Sequence, residues 1–319
     1  MTSRTQAAES SLTTGISSRI IGRIDGAAEG PTIFVFAGMH GNEPAGIKAL
    51  DNVCTALKGI EDRFRGTFIG IRANLRALYE GVRYVDEDMN RIWFPSIIDK
   101  IRRCPVEELE SSERIEIKKL LELIDRELSD KPGQPVIFVD LHSFSSHGGM
   151  FAITARNDSH IDLVSSLHVP LVFGIDEALP GTALRYFQTF DYMAFAFEGG
   201  NHQSRITIEN KTAALMLLVC NAGNVHASDI PEYRKYDRHL IQQTEHLPSR
   251  VELVYQHIIE PGDEFEMRPG FKNFQPVKKG EWLANDKNGK IRAQSSGFIL
   301  MPLYQKQGDD GFFIVREQA

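Results

Sequence analysis

The sequence has no apolar run near the roughly 20 residues that a membrane-spanning helix needs, so a chain that enters no membrane is expected. Cysteine is scarce: Cys54, Cys104 and Cys220 are odd in number, widely spaced and without a CxxC pair. That pattern argues against both a disulfide framework and a cysteine-based metal site. No basic cluster is longer than Arg102–Arg103 and the net charge is −7, so the electrostatic footprint of a nucleic-acid binder is missing. The first residues, MTSRTQAAESSLTT, lack the apolar segment of a secretory signal, and a cytoplasmic setting is expected. An anionic substrate would have to be drawn in by individually placed arginines.

What is present is ordinary globular composition, 42% hydrophobic and 25% charged, in a chain of 319 residues, about the length of two domains. Up to about Val225, short β-branched runs alternate with helical stretches, the pattern of an α/β sheet flanked by helices. RIIGRI, TIFVFA, TFIGI, PVIFVDL, MFAIT and YMAFAF read as strands, several apolar throughout as if buried on both faces. AGIKALDNVCTAL, the segment Val106–Asp130 and the segment Ile208–Asn221 read as helices, the second with its charges on a solvated face and KPG as its stop. From Arg250 onward the strands are separated by PG, NG and glycine-rich turns. The expected division is an α/β domain over 1–225 and a β-rich domain over 226–319.

Chemistry concentrates where strands end. FAGMHGNEP, Phe36–Pro44, sets His40 and Glu43 three apart just past an apolar strand, in a turn that runs into a helix. Such a pair alone is weak evidence, since one is expected by chance roughly once in a chain of this composition. His257 and Glu260 have the same spacing, but within a strand, where positions three apart face opposite sides. Across a turn into a helix, His40 and Glu43 can converge on one point. PVIFVDLHS puts His142 at another strand end and YMAFAFEGG puts Glu198 at a third. Ligands of open α/β sheets gather at that edge. Two histidines and a carboxylate with one position left to water suit a catalytic zinc. Each residue also has a plainer reading: a core histidine for His142, a turn cap for Asp140, and a salt bridge from Glu198 to Arg185 or Arg205. His147 and His202 compete with His142 for the third ligand position.

With GMHGNEPAG, the segment RANLRALYEGVRYVDEDMNRIW, DLHS and the EGG glutamate all in order, the chain closely resembles the succinylglutamate desuccinylase/aspartoacylase family of zinc-dependent deacylases. That family is in turn similar to zinc carboxypeptidases. The resemblance implies a zinc-carboxypeptidase-like three-layer α/β/α domain with a mixed sheet, followed by a smaller, mostly β C-terminal lid. It implies one Zn2+ per chain, held by His40, Glu43 and His142, with Glu198 as general base and acid and Arg83 at the oxyanion. Asn90 and Arg91, with Asn74, look like substrate-binding residues, and Asn74 and Asp88 also support the loop and its arginines.

The implied reaction is hydrolysis of an N-acylated amino acid or similar small amide carrying a carboxylate. Arg91 suits that carboxylate because a guanidinium can bind both oxygens. Aspartoacylase-type members are expected to bring a further arginine ahead of the catalytic glutamate, and a tyrosine from the β domain, to a second carboxylate. Here Arg185 and Tyr186 lie slightly early, Gln188 and Phe190 stand nearer that place, and Gly311–Phe313 or the upstream Tyr304 stands where the tyrosine would be. A less acidic or longer acyl substrate therefore competes with N-acetylaspartate. The alternatives are a zinc carboxypeptidase for short peptides and a non-catalytic ligand-binding relative. A homo-oligomer is compatible with the sequence.

Overall fold

Successive side chains of a strand leave on opposite faces. In the strand Ala28–Ala37, Ile33, Val35 and Ala37 join one buried cluster while Phe34 and Phe36 join another. Both faces are covered, which is why the run is apolar throughout.

The computed structural model describes residues 19–131, 133–190 and 192–318. The stretch read for a secretory signal and Pro132 of the expected helix stop lie outside the described residues. In chain order the strands are β1 (Ile20–Asp25), β2 (Ala28–Ala37), β3 (Arg65–Arg72), β4 (Val136–Phe144), β5 (His147–Gly148), β6 (Phe151–Thr154), β7 (Leu171–Phe173) and β8 (Met193–Asn201). The C-terminal β region supplies β9 (Arg250–Ile258), β10 (Glu266–Met267), β11 (Lys272–Asn273), β12 (Gln275–Val277), β13 (Trp282–Asp286), β14 (Gly289–Arg292), β15 (Gly297–Leu300) and β16 (Asp310–Glu317). Eleven strands form one mixed sheet ordered β1-β3-β2-β4-β8-β6-β7-β9-β16-β15-β12. β2, β3, β4 and β8 run parallel, and β6 lies antiparallel to β8. The helices Ala45–Ala56 and Arg205–Asn221 cover one face, and Pro95–Arg103, Ser112–Leu128 and Ala183–Gln188 cover the other. This is the three-layer α/β/α arrangement with a C-terminal β region. Among the described residues no helix is long and apolar enough to cross a membrane.

All six expected strands form. β7 was not anticipated, because three residues are too few to show a period, yet it joins the first strands to β9 and so to the C-terminal β region. The helix Tyr233–Thr244 also went unseen: only Leu240 and Thr244 of its residues are buried, too sparse for an amphipathic signature. The segment expected as one helix from Val106 becomes α-helical at Ser112, because the Ser111 hydroxyl accepts the Arg114 amide at 3.2 Å and caps it.

That helix corrects the expectation of a wholly solvated charged face. Glu113 is fully buried, and its carboxylate accepts from the backbone amides of Val85 (2.8 Å), Asp86 (3.1 Å) and Glu87 (3.3 Å) and from Asn74 Nδ2 (3.2 Å). One side chain thus anchors the loop that leads to Asp88, Asn90 and Arg91. Replacing Glu113 with Ala leaves buried donors unsatisfied and is expected to lower the unfolding free energy by about 3 kcal/mol. Denaturant titration measures this, and a change below 1 kcal/mol would contradict the anchoring role.

Candidate functional site

The turn after β2 is held by contacts that only glycine permits at one position. A Cβ on Gly41 would lie 2.0 Å from the Ala77 carbonyl carbon, so the helix Leu75–Glu80 packs directly on the turn. Gly41 also donates its amide to the Arg83 carbonyl at 3.2 Å. The turn aims His40 and Glu43 at the end of β4, where His142 pairs in register with Glu198 of β8. One ligand atom each from His40, Glu43 and His142 lies within 4.8 Å of the others, and all three residues are buried. His40 Nδ1 is 2.8 Å from Glu43 Oε1, and His142 Nδ1 is 3.6 Å from Oε2.

The far nitrogen of each ring is held by an acid. His40 Nε2 meets Asp88 Oδ1 at 3.2 Å, and His142 Nε2 meets Asp140 Oδ2 at 2.8 Å, with Asn90 Nδ2 also near, at 3.1 Å. Histidines that ligate metals are held in this way, with one nitrogen free for the ion and the other on a carboxylate. The donor set, its convergence and these outer contacts fit a divalent cation such as zinc. Asp140 is therefore a partner of His142 rather than a turn cap.

The electrostatics follow from burial. Desolvation pushes the Glu43 carboxyl up, but hydrogen bonds and charge from His142 and His40 outweigh it and hold the group well below the usual range. At Asp88 desolvation is likewise overcome, chiefly by Arg83, whose guanidinium sits 3.0 Å away. Glu198 behaves differently. Burial pushes its carboxyl up to about 7, and its Oε2 is buried without a hydrogen-bond partner among the described residues. It pairs with neither candidate arginine: Arg205 binds Glu209 at 3.2 Å, and Arg185 reaches the Asp176 carbonyl.

His40, Glu43, Arg83, Asp140, His142 and Glu198 line one cleft together with Met301, Leu303, Gln305, Gly308, Asp310 and Phe313 of the C-terminal β region. A profile of the succinylglutamate desuccinylase/aspartoacylase catalytic domain matches residues 29–219. The chain belongs to the succinylglutamate desuccinylase/aspartoacylase family. A curated relative, the succinylglutamate desuccinylase of Shewanella woodyi, is 25% identical over 287 residues, covering 84% of this chain and 76% of its own. The fold recurs in the succinylglutamate desuccinylase/aspartoacylase of Rhodobacter sphaeroides, with a TM-score of 0.67 at 14% identity over 93% of this chain and 88% of that one. It recurs also in the succinylglutamate desuccinylase of Chromobacterium violaceum, with a TM-score of 0.60 at 21% identity over 92% and 86%.

Within this family framework most of the expected site residues meet. Arg83 lines the cleft with Nη1 4.0 Å from Glu43 Oε1. Asn90 and Arg91 line it too, but both are already engaged: Asn90 Oδ1 accepts from the Ala183 amide at 2.9 Å, and Arg91 Nη2 binds Asp310 Oδ2 at 2.6 Å. Asn74 does not reach the cleft. It is fully buried, caps the helix Leu75–Glu80 and binds Glu113, so it acts on the loop and not on a ligand in the cleft. His147 is exposed on β5, and His202 bonds Ser143 Oγ at 2.8 Å and Gln305 Oε1 at 3.0 Å; neither joins the cluster. Arg185, Tyr186, Gln188, Phe190 and Tyr304 are absent from the cleft wall, whereas Phe313 is part of it.

Two charged groups escaped sequence reasoning. Lys211 is fully buried, its stem against Gly199, where a Cβ would lie 2.7 Å from Lys211 Cγ. Burial pushes its ammonium down to about 8, opposed by Glu43 and Glu198. A single lysine facing inward from the apolar helix Arg205–Asn221 was the available signal. Asp310, the partner of Arg91, gave none, being 219 residues away in sequence.

If Asp140 orients His142 for a cation, Asp140→Asn weakens zinc affinity by about 10- to 100-fold. Competition with a chromophoric chelator reads this directly, and unchanged affinity would remove Asp140 from the site.

Proposed function

We propose that this protein is a zinc-dependent deacylase that hydrolyses the amide bond of an N-acylated amino acid, releasing a carboxylate and an amine. The observation that carries the reading is the meeting in one cleft of the buried His40–Glu43–His142 cluster and the buried Glu198, whose Oε2 has no hydrogen-bond partner among the described residues. Family membership supports the same reaction class. A cation held by the cluster supplies Lewis acidity and makes hydroxide available at neutral pH.

The remaining chemistry belongs to side chains. Glu198, raised to about 7 by burial, is suited to take a proton from the attacking water and return it to the departing nitrogen near neutral pH. The Arg83 guanidinium, fixed by Asp88, places positive charge where the tetrahedral intermediate gains negative charge. Arg91 offers a substrate carboxylate the donors that Asp310 and the Asn90 carbonyl leave over, out of the five on a guanidinium. We assign residues 1–225 to the catalytic domain and 226–319 to a lid. The contribution of Met301, Leu303, Gln305, Gly308, Asp310 and Phe313 to the cleft wall supports small amides over peptides.

Glu198→Gln is expected to lower kcat by about 100- to 10,000-fold while bound zinc stays at one per chain. Full activity in the variant would overturn the base assignment. A wild-type enzyme that turns over dipeptides and no N-acyl amino acid would favour the carboxypeptidase alternative.

A further inference from the structure

We infer that the recess of the cleft lined by Ile153, Ile175, Leu179, Leu184 and Ala196 receives the side chain of the amino acid being released, and that this side chain is a hydrocarbon chain ending in a cation. The inference rests on the deacylase reading and adds the class of amine to it.

Three features of the cleft lead there. The first is position. Asn90 Oδ1 accepts the Ala183 amide, so the carboxylate clamp adjoins the start of the helix Ala183–Gln188, whose Leu184 lines the recess. A carboxylate held at Arg91 leaves the side chain on the same carbon to enter that space.

The second is an apolar wall with a small floor. Two residues before Glu198 on β8, and so on the same face, stands Ala196, whose methyl group leaves room that a larger side chain would fill. Ile153 pairs with Ala196 across β6 and β8, and Ile175, Leu179 and Leu184 complete the wall. Methylene groups are matched to it.

The third is a buried acid. Asp176 is 7% exposed and lines the same cleft. No ion pair to its carboxylate forms among the described residues: Arg185 is exposed and donates to the Asp176 backbone carbonyl at 3.4 Å. Burial, and then the charge of Glu177, push the Asp176 carboxyl above its ordinary range, against backbone hydrogen bonds at Glu177 and Asp176 and the charge of Arg185. The two arginines of the cleft wall are both taken in the proposed reaction, Arg83 by Asp88 and the oxyanion and Arg91 by Asp310 and the substrate carboxylate. A buried carboxylate is costly unless a cation meets it. An ammonium or guanidinium at the end of an aliphatic chain would do so. A glutamate or aspartate side chain would instead bring like charge against Asp176.

The test compares kcat/KM of the zinc-loaded protein on Nα-acetyl and Nα-succinyl derivatives of lysine, norleucine and glutamate. Titration calorimetry with the three free amino acids gives a readout independent of turnover. The lysine derivative is expected to exceed norleucine by about 30-fold, glutamate is expected to be poorest, and Asp176→Asn, checked for folding by its melting curve, is expected to erase the gap between lysine and norleucine. Norleucine equal to lysine, or glutamate preferred, would overturn the inference and leave the deacylase reading intact. If no derivative is hydrolysed, the deacylase reading fails instead. Calorimetry then decides the recess: lysine binding weakened by Asp176→Asn supports the inference, and no lysine binding overturns it.

Discussion

One buried carboxylate organises the cleft. Glu43 sits between two imidazoles and accepts the Ser143 amide at 2.6 Å through the oxygen that also faces His142. A carboxylate this deeply buried persists as an anion only because positive and hydrogen-bonding groups surround it. The arrangement ties the turn after β2 to the end of β4, so the geometry of the candidate metal site and the packing of two central strands are one constraint. Asp88 and Asp140 complete it from behind, each fixing an imidazole by its outer nitrogen.

The same economy of contacts connects the cleft to distant parts of the chain. Glu113, near the start of a helix, fixes the loop that carries Asp88, Asn90 and Arg91. From the C-terminal β region, Gln305 accepts from Asn42 at 3.0 Å, Gln307 accepts the Arg83 amide at 3.2 Å, and Asp310 holds Arg91. In the proposed reaction Arg83 meets the oxyanion and Arg91 the substrate carboxylate, so the C-terminal segment shares in setting the positions of both. Loops acquire precision when a rigid scaffold holds them, and here the scaffold comes from the helix Ser112–Leu128 and from the C-terminal β region.

What could be read in advance was what repeats or ends locally. Apolar runs marked β2, β4 and β8, and the residues just past or near their ends, His40, Glu43, His142 and Glu198, were legible because open sheets gather ligands at that edge. The roles of Arg83, Asn90 and Arg91 came only through resemblance to a family. Partnerships across long sequence separations left no local trace: Glu113 resembled any solvated helix charge, Asp140 a turn cap, and Asp310 gave no signal at all. Asn74 was placed at the substrate on resemblance, whereas its carbonyl oxygen caps a helix and its amide group binds Glu113. β7 and the helix Tyr233–Thr244 were lost for another reason, the first too short and the second too sparsely buried to show a period.

The central claim is that His40, Glu43 and His142 together hold one divalent cation. Anomalous diffraction at the zinc edge from crystals of the zinc-loaded protein tests it most directly. The account predicts a single dominant peak among those three side chains, contacting both imidazoles and the Glu43 carboxylate. A peak centred on other residues, or none at this cluster under saturating zinc, would contradict it.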